Sequence, residues 1–193
     1  MSTTLQILGL VMLMASSAVL LLTQRWRLQM GALALQYAGA FLLMMPGWSA
    51  GLSAVPMITG WIAAAILSSA HSEAEGGEDG GGLRGRVFKA LVIGFTWVIV
   101  LTSSTQVGKF IPAPFLSIAG GLGMVCVGLL HLGMTNQMMK TIIGLLLVLS
   151  GFEILYAPLE SAVLVVGGVA AVQLGLAIVG AAYTSSNNRE LST

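Results

Sequence analysis

Charge is scarce in this chain: of 193 residues, 8 are Lys or Arg and 7 are Asp or Glu, together 8%. Soluble domains carry about a quarter charged residues. There is too little charge here to cover a water-facing surface, which excludes a cytosolic enzyme. The net charge of +1 denies the chain the basic footprint of a DNA- or RNA-binding protein, so no nucleic-acid partner is expected. A single cysteine, Cys126, rules out an internal disulfide framework, a thiolate iron–sulfur centre and a cysteine-based zinc site. Histidine occurs only twice, with His131 in an apolar run and His71 in a polar one. No nucleophile–base pair or phosphate loop can be assembled from these, and neither a cofactor, a metal nor a self-contained active site is expected.

Apolar residues fill the chain instead, at 56% of the sequence and a mean hydropathy of +0.95. Crossing a hydrocarbon core of ~30 Å takes about 17 to 25 apolar residues in a helix. Seven such runs occur, at about 5–22, 28–45, 54–70, 87–105, 114–133, 140–157 and 161–183. Stretches such as Val92–Leu101 and Thr141–Leu149 are apolar on every face, whereas barrel strands would alternate. The predicted fold is therefore all-α and polytopic, with seven transmembrane helices. The first run has no basic region before it, and Arg25 and Arg27 follow it, so it reads as a retained span and not as a signal peptide.

With seven spans, the basic residues divide unevenly. Arg25, Arg27, Arg84, Arg86, Lys89, Lys140 and Arg189 fall on one side and Lys109 alone on the other. Basic residues in short loops stay cytoplasmic, which predicts an N-out, C-in topology. The longest loop holds Glu73, Glu75, Glu78, Asp79 and a run of glycines, a composition that cannot form a packed core. Residues 71–86 are expected to be a flexible cytoplasmic linker, and 187–193 a cytoplasmic tail.

An internal repeat is also legible. Arg27-Leu28-Gln29-Met30-Gly31 matches Lys140-Thr141-Ile142-Ile143-Gly144 in the pattern basic, three residues, glycine. Leu8-Gly9-Leu10 precedes the first site as Leu122-Gly123-Met124 precedes the second, and Gly60-Trp61-Ile62-Ala63-Ala64 lies on Gly167-Gly168-Val169-Ala170-Ala171. The motifs recur in one order, predicting a parallel 3+1+3 arrangement. Residues 1–70 and 110–186 would be the three-helix copies, with 87–109 as a linker helix. Arg27 and Lys140 then both open a helix at the cytoplasmic side, where they either set orientation and contact phospholipid or serve as charges on a proton path.

Ionisable residues inside the spans are costly and mark functional sites by default. Two stand out, Glu153 among Phe152, Ile154 and Leu155, and His131 near the end of the fifth run. A carboxyl in such apolar company can load and release a proton when water or a cation stabilises its charge; a plain interhelical hydrogen bond is the alternative. In a hairpin, the residue level with His131 is about Ile143, roughly 15 Å from Glu153 along the axis, so the two side chains are not expected to touch. Cys126 and pairs such as Met44-Met45 and Met138-Met139 read as packing, as do Gly120-Gly121, Gly123, Gly167-Gly168 and Ala170-Ala171, where small residues let backbones approach.

The basic-x3-glycine start of the sixth span, the apolar helix after it and the small-residue helix beyond resemble the small K-type membrane subunit of respiratory complex I. They also resemble the C-type subunit of multisubunit cation/proton antiporters. With Leu8–Leu43 ahead of that half, the whole chain resembles membrane component E of hydrogenase-4-type, group 4 hydrogenase complexes. The resemblance implies a multi-pass subunit of the cell inner membrane, set between a redox module and large antiporter-like membrane subunits, that contributes a carboxylate to a lateral proton path. The glutamates of those families fall here on Leu146 and Leu149, both apolar, with Glu153 further along the same helix face. A second family glutamate falls near Ala171 or Gln173. The residues implied for the proton path are Glu153, His131, Lys140, Arg27 and Gln173.

Two other readings use the same features. Parallel 3+1+3 repeats are also the architecture of SWEET-type sugar transporters, whose early helices carry a proline hinge that the span from Leu5 to Leu22 lacks. In a pure assembly scaffold, Glu153 would only tie neighbouring subunits together.

Overall fold

The computed structural model describes residues 3–23, 25–70, 83–135 and 137–190. The acidic glycine-rich stretch 71–82, expected as a linker, and the tail side chains from 187 onward, Arg189 included, lie outside that description. Within it the chain forms α1 (Thr3–Leu22), α2 (Trp26–Met44), α3 (Ala50–Ala70), α4 (Leu83–Val107), α5 (Phe115–Gly133), α6 (Met138–Tyr156) and α7 (Val163–Glu190).

Six of these seven helices, all but α2, are long and apolar enough to cross a membrane. Arg27, Gln29, Gln36 and Tyr37 interrupt the apolar run of α2. Gln29, Gln36 and Tyr37 are each no more than 2% exposed, so α2 buries its polar groups against protein. Helix α3 begins at Ala50, earlier than its apolar run suggests, and carries Pro56 inside. A proline there has no N–H for the carbonyl one turn back, and its ring crowds that carbonyl. Helix α4 likewise starts at Leu83, ahead of the expected residue 87.

The helices stack in layers. Helix α4 packs on α1 and α5, which contact each other; α2 and α6 form the next layer, and α3 and α7 the last. Each helix of 1–70 therefore touches the helix in the same ordinal place after α4. The outer layers leave large side chains uncovered, among them Leu91, Phe95 and Val98 on α4 and Leu164, Val172 and Ile178 on α7. Such faces suit lipid or neighbouring apolar helices.

Without a hydrophobic driving force between helices in lipid, close van der Waals packing must hold them, and small residues permit it. A Cβ on Gly9 would lie 2.9 Å from the Gly39 carbonyl oxygen, and one on Gly39 3.0 Å from that of Gly9. In the α5–α6 hairpin a Cβ on Gly121 would lie 3.0 Å from the Gly151 oxygen, and one on Gly151 2.8 Å from that of Gly121. Residues 9 and 39 have the same separation as 121 and 151, so one device closes both hairpins. Gly128 and Gly144 repeat it toward the other end of α5–α6. The expected packing role does not extend within this chain to Gly167 and Gly168, since a Cβ on either would meet nothing within 4 Å.

The turns are tied at both ends. At one, Gln29 Nε2 donates to the carbonyls of Thr23 at 2.8 Å and Leu20 at 3.5 Å, satisfying oxygens that the end of α1 leaves without helical partners. At the other, Trp48 Nε1 donates to the Glu160 carbonyl at 2.7 Å, and the Trp48 ring meets Tyr156 edge-on at 6.4 Å. These contacts lock the α2–α3 turn onto the α6–α7 turn and fix the helix ends beside Glu153.

Candidate functional site

Leu146, Ser150 and Glu153 follow helical spacing on α6 and form one buried face, each no more than 1% exposed. On α7 the buried positions Val166, Ala170, Gln173 and Ala177 form a matching stripe. Gln173 is its long polar member, flanked a turn away on each side by alanine. The two stripes meet, and Gln173 Nε2 donates to Glu153 Oε2 at 2.8 Å. The Gln173 amide oxygen in turn lies 3.1 Å from Thr59 Oγ1 on α3. That hydroxyl also reaches the carbonyls of Val55 at 3.0 Å and Pro56 at 3.1 Å, and its one hydrogen can serve only one of these acceptors at a time.

Tyr37 closes the site from α2. Its ring lies against Gly60, where any Cβ would collide with the ring carbons, and its hydroxyl donates to the Leu146 carbonyl at 3.5 Å. The phenol is close enough to Glu153 to feel its charge. Four helices thus converge on one carboxyl. Among the described residues Glu153 Oε1 has no hydrogen-bond partner, nor do the buried Ser150 Oγ, Ser53 Oγ and Gln36 Oε1.

The two carboxyl oxygens consequently differ. Oε2 accepts from Gln173 whether the group is charged or neutral. Oε1 can carry a proton without breaking that bond. A carboxyl held by one oxygen in this way can change protonation state while its rotamer stays fixed.

The structure brings Glu153 and Gln173 together and leaves the other sequence candidates elsewhere. The glycine contacts of the α5–α6 hairpin place His131 level with residues 141 to 145, about 12 to 18 Å short of Glu153 along the axis. His131 is buried at the opposite end of the bundle, where it shares a recess with Lys140 and Lys89. Arg27 is exposed on the first turn of α2. Leu146 is buried beneath Tyr37 and Leu149 is half-buried, so neither position where the resemblance puts a glutamate is polar. Ala171, the other position for a second glutamate, is exposed.

Sequence reasoning missed Thr59, Tyr37 and Ser150 as neighbours of the carboxyl. It also missed Gln36, whose amide donates to Met124 Sδ. One signal was available: Gln29 and Gln36 stand two turns apart on one face of an otherwise apolar helix. No group of three or more His, Cys, Asp or Glu side chains able to hold a metal occurs among the described residues. No family model, no curated protein and no solved structure matches this chain.

Proposed function

We propose that this chain is a small, non-catalytic membrane subunit of a redox-driven proton- or cation-pumping complex of the complex I or group 4 hydrogenase kind, with Glu153 as a proton-holding carboxyl on the lateral path. The observation that carries the reading is the geometry of Glu153: 1% exposed, held at Oε2 by Gln173 and open at Oε1. A residue kept only to tie helices together would be expected to use both oxygens. The likeness of the Lys140–Gly144 helix start to the K-type subunits supports the assignment. So does the position of Gln173, near where those subunits carry a second acid.

In this reading α2 is the seventh crossing, made tolerable by burial of its polar side chains. The chain is a parallel 3+1+3 repeat, supported by the pairing of α1 with α5, α2 with α6 and α3 with α7, and by the matched glycine contacts of the two hairpins. Its basic end faces the cytoplasm, in a cell inner membrane. Large antiporter-like subunits would cover the exposed faces of α4 and α7. A proton arriving from such a neighbour would load on Oε1, and Tyr37, Thr59 and Ser150 supply hydroxyls around it.

Glu153→Gln tests this reading, since it keeps the volume and an acceptor for Gln173 but cannot release a proton. The expected result is a complex that assembles normally and loses coupled proton transport in inverted vesicles. Undiminished transport with normal assembly would reduce Glu153 to a structural residue.

A further inference from the structure

The hydroxyl of Thr59 has one hydrogen and three acceptors within reach. The carbonyl oxygens of Val55 at 3.0 Å and Pro56 at 3.1 Å belong to its own helix, whereas Gln173 Oε1 at 3.1 Å comes from α7. The two carbonyls lie inside α3, where each is supplied by the N–H four residues on. Gln173 has no such supply. It is fully buried, and Thr59 is the donor that meets its oxygen. Leaving a buried amide oxygen without a donor is costly, so the Thr59 hydrogen stabilises most when it is given to Gln173.

An amide offers an acceptor on one side and donors on the other. With its oxygen held by Thr59, Gln173 turns its nitrogen to Glu153, and Nε2 donates to Oε2 at 2.8 Å. Turned over, the same amide would set its oxygen against Oε2. That arrangement repels a carboxylate and becomes a hydrogen bond only when Oε2 itself carries the proton. Thr59 can accommodate the reversal, because its oxygen can accept from the amide while its hydrogen goes to Val55 or Pro56. The direction of that one hydrogen therefore decides which oxygen of Glu153 takes a proton. Neither neighbouring hydroxyl holds the amide instead: Tyr37 donates to the Leu146 carbonyl, and Ser150 Oγ has no partner among the described residues.

We infer that Thr59 is a positioning residue for Glu153. By donating to Gln173 Oε1 it keeps the amide nitrogen facing the carboxyl, which reserves Oε2 as an acceptor and Oε1 as the place for the proton. A proton on Oε2 would instead be bound between two residues of this chain and withdrawn from any path. The inference rests on the proton-holding role proposed for Glu153 and says how that role is kept in one direction.

The test is infrared difference spectroscopy of the purified full chain in lipid nanodiscs, acid against alkaline, with Glu153→Gln used to identify the Glu153 carboxyl band. The unaltered chain should show a single band for the neutral acid. Thr59→Val should add a second component at a different frequency, since the carbonyl of the reversed form is no longer the oxygen that accepts from the amide. The loss of one hydrogen bond should raise the reversed share roughly fivefold. Thr59→Ser, which restores the hydroxyl, should return the single band; a role in packing alone would not follow the hydroxyl in this way. If Thr59→Val fails to fold, Thr59→Ala carries the same expectation. A Glu153 band identical in the unaltered chain and in the variants without the hydroxyl would overturn the assignment of Thr59 and leave the role of Glu153 standing. Absence of any Glu153 band in the unaltered chain would overturn both.

Discussion

Gln173 on α7 donates to Glu153 on α6 at 2.8 Å, and among the described residues no other side chain is hydrogen-bonded to that carboxyl. The bond joins two helices whose facing stripes are otherwise small or apolar. Gln173 itself is oriented by Thr59, so three helices share responsibility for one carboxyl. Removing either amide or hydroxyl should therefore be felt at Glu153.

Gln173→Leu leaves Glu153 buried without its donor. Unfolding free energy should fall by about 1 to 3 kcal/mol, read as a lower midpoint in detergent-induced unfolding, and coupled transport should drop. Thr59→Val should cost about 1 kcal/mol or less. Because both act on one chain of hydrogen bonds, the double variant should cost less than the two singles together. Additive losses would show that Thr59 and Gln173 act separately.

The contact of Tyr37 with Gly60 leaves no room for a methyl group. Gly60→Ala should destabilise by about 1 to 3 kcal/mol, the usual range for overpacking, and displace the phenol from the Leu146 carbonyl. Tyr37→Leu in the same chain should recover part of that loss. A neutral Gly60→Ala, measured by thermal unfolding in detergent, would mean that α2 and α3 separate more easily than this packing implies.

Gly151 and Gly168 make a matched pair for testing where small residues matter. A Cβ on Gly151 would lie 2.8 Å from the Gly121 oxygen, whereas one on Gly168 would meet nothing. Gly151→Ala should lower stability measurably in the isolated chain, and Gly168→Ala should stay within about 0.5 kcal/mol of the parent. If Gly168→Ala instead prevents co-purification with larger membrane proteins, that face of α7 is where a neighbour approaches.

The proposed orientation can be checked with single cysteines in a Cys126→Ala background. An impermeant thiol reagent added to intact cells should label Lys109→Cys and leave Ser69→Cys unmodified until the membrane is opened. The reverse pattern would invert the topology.

The helices were largely legible, because runs apolar on every face leave few alternatives once charge is scarce. Their ends were less so. Helix α3 begins at Ala50, ahead of the apolar run at 54–70, and runs through Pro56, which has no N–H to give the carbonyl one turn back. Glu153 and Gln173 were identifiable as rare polar residues in apolar company. What sequence could not supply was convergence. Tyr37, Thr59 and Gln173 lie on three helices far apart in the chain, and only the stacking of α2 and α6 against α3 and α7 gathers them. His131 was visible as an ionisable residue, but its company of Lys89 and Lys140 depends on α4 crossing the end of α5, which no local pattern encodes.

Glu153 lies three positions from the end of α6 at Tyr156 and fifteen from its beginning at Met138. If α6 spans the bilayer, a proton on that carboxyl sits roughly four fifths of the way along the helix axis from the basic end. Its electrical distance is therefore lopsided. Reaching it from the far side would involve most of a transmembrane voltage, worth about 2.3 kcal/mol per charge for each 100 mV crossed, while leaving by the near side would involve little. Membrane voltage would then bias how often the site is filled, even with every atom of the chain at rest.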